Sequence, residues 1–413
     1  MLKHKQRISL LLALSLLFCL SACSMIKPLG LLLRVEQESE GDPPGSESST
    51  ETTTNTETET EISPEVEETP IRNLILIIGD GMGPEHIAAG QLGSGAAYPF
   101  TSWPNVNVNT DSVDPSGNAG VLTDSAAGAT ALATGNLTVN SYLGIDPYQR
   151  PLQTVLDVAK EYGKSTGILT TDYLYGATPA GFSAHSNNRS DYDRITETQA
   201  TSGVDFLCGL RNDSHYSSYR SLLQENGYAV CNTVNGIRDA SAESEKLYLT
   251  VNIENNAADS LPLSSLALMA ISFLENDEDG FVLIIEQAHI DKNAHNNSIN
   301  GVVSSVNSLA QTVETVMEWI GDREDTAVLV TADHETGGLT VSSQPVFAEQ
   351  YFSATGNFFY SFSSTKHTDL HVKLFVYGIA PAFRNCTYYR SEYLIKNTDV
   401  FQIMKQLLIT ESK

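Results

Sequence analysis

The chain has 413 residues, with 50 Asp and Glu against 24 Lys and Arg, for a formal net charge of −26. So acidic a surface repels nucleic acid and anionic lipid headgroups, so no nucleic-acid binding is expected; any anionic substrate must be drawn by local positive charge, from metal ions or a placed Arg. From residue 71 onward the chain is long for one domain but within the range of a large α/β enzyme.

Lys3, Lys5 and Arg7 precede an apolar run from Ile8 to Leu20, which is too short to span a bilayer and has the flanks of a secretory signal. The run ends in Leu20-Ser21-Ala22-Cys23, which resembles the lipobox of bacterial lipoproteins. The resemblance implies a signal peptide over residues 1–22, cleavage before Cys23 and lipidation of that Cys. Lipid chains then hold the protein at a membrane, on the extracytoplasmic side, without a spanning helix. No other stretch is long and apolar enough to cross a bilayer.

Residues 23–70 read as the lipidated Cys and a tether. Glu36 to Pro70 holds twelve acidic residues, no Lys or Arg, and many Ser, Thr and Pro. It has too little apolar surface to offset its ordering entropy, and its like charges keep it extended. Beyond Cys23, the chain has Cys208, Cys231 and Cys386, enough for one internal bridge. Cys208 and Cys231 are the pair nearest in sequence, and no Cys has the spacing of a zinc site.

Residues 71–413 carry the patterned chain. Short apolar runs stand at Leu74 to Ile78, Thr166 to Thr170, Phe281 to Ile285, Ala327 to Val330 and Leu374 to Tyr377. Such runs fit strands buried on both faces, as in a parallel sheet. Helical patterns lie between them, the clearest being Val302, Val303, Val306, Leu309, Val313, Val316, Met317 and Ile320. The alternation predicts an α/β fold, with a doubly wound, mainly parallel central sheet flanked by helices in a single catalytic domain.

Acidic residues and His follow three of these runs. Gly79-Asp80-Gly81 follows the first, Glu286 through Asp291 to His295 the third, and Asp333-His334 the fourth. Singly, Gly-Asp-Gly is usually a turn and Asp-His a surface pair. Three such pieces, each directly after a buried strand, converge at the edge where open α/β sheets bind ligands. Asp80, Glu286, Asp291, His295, Asp333 and His334 therefore read as metal ligands, with imidazole and carboxylate suiting zinc and carboxylate with hydroxyl or water suiting magnesium. Asp291 and His295 are spaced to share a helical face. A second constellation is Asp124-Ser125 ahead of an Ala-rich, helix-prone stretch that ends at Gly135. Either residue makes a good N-cap. The same position places the Ser125 hydroxyl where free N–H groups and the helix dipole favour an anion such as phosphate.

Together these motifs resemble the alkaline phosphatase family. Gly79 through Gly83 looks like its first metal loop, and Asp124-Ser125-Ala126 is similar to its nucleophile motif. Ala177-Thr178-Pro179-Ala180, with Ala184-His185 and Arg189, resembles its segment for magnesium and phosphate. Glu286 to His295, Asp333-His334 and Lys366-His367-Thr368 resemble its remaining metal segments. All stand in the family's order from Ile71 to Gly378. Lys292 after Asp291 matches the bacterial type, where animal enzymes usually carry His.

The resemblance implies a phosphomonoesterase with two zinc ions and one magnesium ion. Asp291, His295 and His367 bind the first zinc, and Asp80, Asp333 and His334 bind the second, next to Ser125. Asp80, Thr178 and Glu286 hold magnesium. Ser125 is the nucleophile and forms a phosphoserine. Arg189 grips two phosphate oxygens, Asp124 orients Arg189, and Lys292 reaches the phosphate or the magnesium shell through water. Small phosphate monoesters are the implied substrates, and family members are commonly homodimers. One position departs from the pattern: two residues before Thr178 the family usually has Asp or His, and this chain has Gly176. That loss is expected to loosen magnesium and to leave Lys292 freer to meet phosphate directly. Related sulfatases use Cys/Ser-x-Pro-x-Arg, which Ser125-Ala-Ala-Gly-Ala lacks, and related phosphodiesterases usually use Thr and lack the counterpart of Glu286.

Overall fold

All five apolar runs become strands in the computed structural model, which describes residues 70–233, 236, 244–343, 358–379 and 394–409. The signal, Cys23, the tether up to residue 69 and Cys386 lie outside the described residues.

A ten-stranded sheet forms the centre. Its order is Leu394–Lys396, Asn105–Asn109, Val372–Tyr377, Thr326–Thr331, Asn73–Gly79, Phe281–Gln287, Ser165–Thr170, Phe206–Leu210, Lys246–Val251 and Tyr228–Cys231. The middle strands carry unbroken apolar runs because both faces are covered: Leu74 to Ile78, Phe281 to Ile285 and Ala327 to Val330 are all essentially inaccessible. Each fully buried Leu, Ile or Val side chain contributes about 1.5–3 kcal/mol relative to exposure.

One described strand of this sheet runs against the others. Val372–Tyr377 is antiparallel to both neighbours, Thr326–Thr331 and Asn105–Asn109. A continuous apolar run reports burial on both faces and carries no information on direction, so the sequence pattern alone leaves the sense of this strand open.

Helices flank the sheet in two groups. Ile299–Ile320, which contains the apolar pattern read from Val302 to Ile320, packs on Pro84–Ser94 and on Leu263–Leu274. Ser125–Thr134 packs on Ala177–Ser183 and on Asn397–Ile409. All ten residues of Ser125–Thr134 are buried. Its Ala content suits that position, since small side chains permit close approach on every side. At Gly128 a Cβ atom would stand 2.9 Å from the Asp333 carbonyl oxygen, so glycine is what lets this helix touch the Asp333-His334 turn. Among the described residues, no helix is long and apolar enough to cross a membrane.

Cys208 and Cys231 form no disulfide. Both pair with Leu249, from opposite sides of the strand Lys246–Val251. Two strand spacings, about 10 Å, exceed the reach of a disulfide between Cα atoms.

Candidate active site

Register brings the expected groups to one edge. Ile78 is level with Thr331 on one side and with Glu286 on the other, and Glu286 is level with Thr170. Asp80, Asp333 and Glu286 thus emerge at adjacent carboxyl ends. His367 precedes its strand, whereas the others end or follow theirs. Because Val372–Tyr377 runs antiparallel, its amino end lies at the same edge, and His367 joins the site from the opposite chain direction.

Two clusters result. In the inner one, the ligand atoms of Asp80, Asp333 and His334 lie within 4.8 Å of one another, and all three residues are buried. His334 Nε2 is 3.5 Å from Asp80 Oδ1 and 3.4 Å from Asp333 Oδ2. Thr336 fixes the tautomer. Its hydroxyl donates to Asp291 Oδ1 at 2.6 Å, so at 3.2 Å it can only accept from His334 Nδ1, and Nε2 is left as a lone pair. Three acceptors then face one another. Asp80 Oδ1 and Asp333 Oδ2 are buried with no hydrogen-bond partner. Buried acceptors are rarely left so, and a cation satisfies all of them at once. The turn that aims Asp80 depends on Gly81, whose φ is +73°.

The outer cluster is Asp291, His295 and His367, with ligand atoms also within 4.8 Å of one another. Asp291 Oδ1 is 3.2 Å from His295 Nε2 and 3.5 Å from His367 Nε2. Each His is oriented by its other nitrogen: His295 Nδ1 donates to the Thr365 carbonyl at 2.7 Å, and His367 Nδ1 donates to the Thr123 carbonyl at 2.9 Å. A carbonyl behind each imidazole is the usual support of a metal-ligating His.

Ser125 opens its helix and is buried, with Oγ 3.2 Å from His334 Nε2. Asp124 serves as cap and as anchor at once. Its Oδ1 accepts from Ala127 N–H at 2.9 Å, while Oδ2 accepts from Ser141 N–H at 3.0 Å and from Arg189 Nη1 at 3.1 Å. The guanidinium is thereby held from behind at the amino end of the Ser125 helix.

The third expected group is Asp80, Thr178 and Glu286. Glu286 accepts a hydrogen bond from Thr170, and its carboxylate lies close to the buried Thr178 hydroxyl and near Asp80. Lys292, expected to be freer beside Gly176, is paired: its Nζ is 2.6 Å from Asp172 Oδ1. Sequence reasoning missed Asp172, although an acidic residue just past a fourth strand end was a visible signal. It also missed Thr336, which links the two clusters and has no sequence signature beyond its place after Asp333-His334. His86 accepts from Gly83 N–H at 3.2 Å and is fully buried beside Glu335. His185, from the same segment as Arg189, lies with Nε2 3.1 Å from the Leu152 carbonyl.

Crowding of like groups perturbs their protonation. Burial, then the charges of Asp333, Asp291 and Glu286, pushes Asp80 well above the carboxylate range. Asp333 is pushed up to about 7 by burial and then by Asp291, and Glu286 to about 7 by burial and then by Asp172. Burial, then His367, drives His334 well below its ordinary value. Burial opposes ionisation of Asp291, but the rings of His367, His334 and His295 and the Thr336 hydroxyl hold it low. A site whose carboxylates resist ionisation without positive charge is suited to multivalent cations.

Known proteins share both sequence and fold with this chain. The family model described as alkaline phosphatase matches residues 71–207 and 243–407. Alkaline phosphatase 4 of Bacillus subtilis is 31% identical over 301 residues, covering 67% of this chain and 64% of its own length. Escherichia coli alkaline phosphatase is 27% identical across 83% of this chain and 87% of its own length. The solved alkaline phosphatase of the Antarctic bacterium TAB5 superposes with a TM-score of 0.71 at 25% identity, covering 83% of this chain and 98% of that one. The chain spans 64% of the length of each of two Bacillus subtilis relatives, alkaline phosphatases 3 and 4. On the match over most of its length, the chain belongs to the alkaline phosphatase family.

Proposed function

We propose that the protein hydrolyses phosphate monoesters through a phosphoserine on Ser125, in a site that takes two zinc ions and one magnesium ion. One observation carries the reading: the Ser125 hydroxyl stands 3.2 Å from the lone pair of His334, among buried carboxylate oxygens that have no other partner. In this reading Asp291, His295 and His367 hold one zinc, Asp80, Asp333 and His334 the other, and Asp80, Thr178 and Glu286 the magnesium. When bound, the ions supply the positive charge that a phosphate dianion needs and make nearby hydroxyl groups more acidic.

The remaining chemistry belongs to the chain. Ser125 Oγ gives its proton to solvent and attacks phosphorus. A new P–O bond forms as the ester P–O bond breaks, and the leaving alkoxide takes a proton from solvent. Arg189, held by Asp124, offers two parallel donors to the non-bridging oxygens. The amino end of the Ser125 helix favours the same negative charge. Lys292, held by Asp172, adds charge from the far side through water. Water then attacks the phosphoserine, phosphate leaves, and the Ser125 hydroxyl is restored. Both attacking oxygens must be deprotonated, which favours alkaline conditions.

The same reading extends to place. A signal over residues 1–22, lipid on Cys23 and an acidic tether to residue 70 would hold the catalytic domain, residues 71–413, at the outer side of a membrane. Mass spectrometry of the membrane fraction would find diacylglycerol on Cys23, and an unmodified Cys23 in mature protein would end that part of the proposal.

The test of activity is p-nitrophenol release from its phosphate monoester, from neutral to alkaline pH, with zinc and magnesium added. Strong alkaline turnover, lost with chelator and with Ser125→Ala, is expected. Turnover of bis-p-nitrophenyl phosphate alone would replace this reading with a diesterase.

A further inference from the structure

Asp172 is tied down at its backbone N–H, its carbonyl and one carboxylate oxygen. Its N–H donates to Thr170 Oγ1 at 2.8 Å, and that hydroxyl donates in turn to Glu286 Oε2. Its carbonyl accepts Leu210 N–H at 2.6 Å. Its carboxylate takes Lys292, one residue past Asp291 of the outer cluster, at 2.6 Å. The Lys292 and Asp172 side chains are 44% and 21% exposed, so the pair adds little to stability, and its effect is on position.

Gly176 supplies the second observation. A Cβ atom there would stand 2.9 Å from Asp172 Oδ2, 3.3 Å from Asp172 Cγ and 2.9 Å from the Tyr173 carbonyl oxygen. The Gly176 backbone is ordinary, with φ −61° and ψ 161°, so conformation does not demand glycine. The demand is spatial: the Asp172 carboxylate and the Tyr173 carbonyl together occupy the place a side chain at 176 would take. Gly176 is also the N-cap of Ala177–Ser183, the helix that presents Thr178.

We infer that Asp172 is the positioning residue for Lys292 at the Glu286 and Thr178 site, and that Gly176 is its necessary companion, leaving room for a carboxylate delivered from the preceding loop. The inference rests on the metal-loaded phosphatase reading above. It reverses the expectation that Gly176 leaves Lys292 unheld: the carboxylate has changed position in the chain and kept its partner.

The test uses Asp172→Asn, Gly176→Asp and the exchange variant Asp172→Gly with Gly176→Asp. Each zinc-loaded protein is titrated with magnesium by calorimetry, and its inhibition constant for inorganic phosphate is measured. Asp172→Asn should weaken magnesium binding by about 10- to 100-fold, the usual cost of losing a supporting group. Gly176→Asp should weaken it too, by crowding Asp172. The exchange variant should recover part of the affinity, because one carboxylate again faces Lys292 and only the Tyr173 carbonyl is left to crowd it. In a Lys292→Met background, Asp172→Asn should no longer shift phosphate inhibition. Should Asp172→Asn melt early, Asp172→Ser carries the same comparison. Wild-type magnesium affinity and phosphate inhibition in the Asp172 variants, or an exchange variant no better than Asp172→Asn, would overturn the inference. A wild-type protein without Ser125-dependent hydrolysis would overturn the proposed function instead.

Discussion

The two clusters use similar side chains in opposite surroundings. Asp333 and His334 are completely buried and Asp80 nearly so, while the His295 side chain is 39% exposed. The inner cluster leaves carboxylate oxygens without partners and sits against Ser125. The outer cluster pins both imidazoles to backbone carbonyls and opens toward solvent. In the proposed reading, burial suits the inner cluster to a cation held as part of the structure, whereas exposure suits the outer one to the entry of water and the departure of the leaving group.

The sharpest way to break this contrast is substitution on each side. His334→Ala should abolish turnover about as fully as Ser125→Ala, a loss of ~10³-fold or more, because groups acting as a unit fail together. His295→Ala should cost less, about 10²-fold, and excess zinc should recover part of it. Equal losses that zinc does not relieve would erase the distinction. Arg189→Ala should also cost about 10²- to 10³-fold, the size expected for one oriented donor to a developing charge. Arg189→Lys should not restore it, since a point charge lacks the planar fork.

Proton release reads the same contrast by a different route. Asp333 and Glu286 sit at about 7 without an ion, and Asp80 and His367 are also raised. Raised groups hold protons below that pH and must lose them to bind metal, so affinity should climb as pH rises toward 7 and then level off. Calorimetry in buffers of different ionisation enthalpy should find more protons released at pH 6 than at pH 8. Equal release at both would mean these carboxylates are already ionised in the metal-free protein. The smallest effect expected is on stability: Asp124→Ala removes a helix cap and should cost about 1 kcal/mol in chemical denaturation, besides loosening Arg189.

The sequence made most of the edge legible because apolar runs ending in Asp or Glu mark both a strand and what it presents. Asp80, Glu286 and Asp333 were readable in that way. His367 was not, since it precedes its strand and period-two or continuous apolar patterns are silent on direction; only the likeness to a family pointed to it. Asp172 escaped because its function depends on empty space at Gly176, four residues on, and a glycine in sequence does not say whether it serves conformation or room. The Cys208 and Cys231 pairing failed for a related reason, since nearness in sequence did not reveal the strand inserted between them.

The central claim is that Ser125 carries the phosphoryl group. Acid quenching of the metal-loaded enzyme during turnover, followed by mass spectrometry of the peptide containing Asp124-Ser125-Ala126, tests it directly. The account predicts a phosphate on Ser125 that appears with substrate and is absent from Ser125→Ala, which should also be inactive. An unmodified Ser125 in an enzyme that stays active as Ser125→Ala would contradict it.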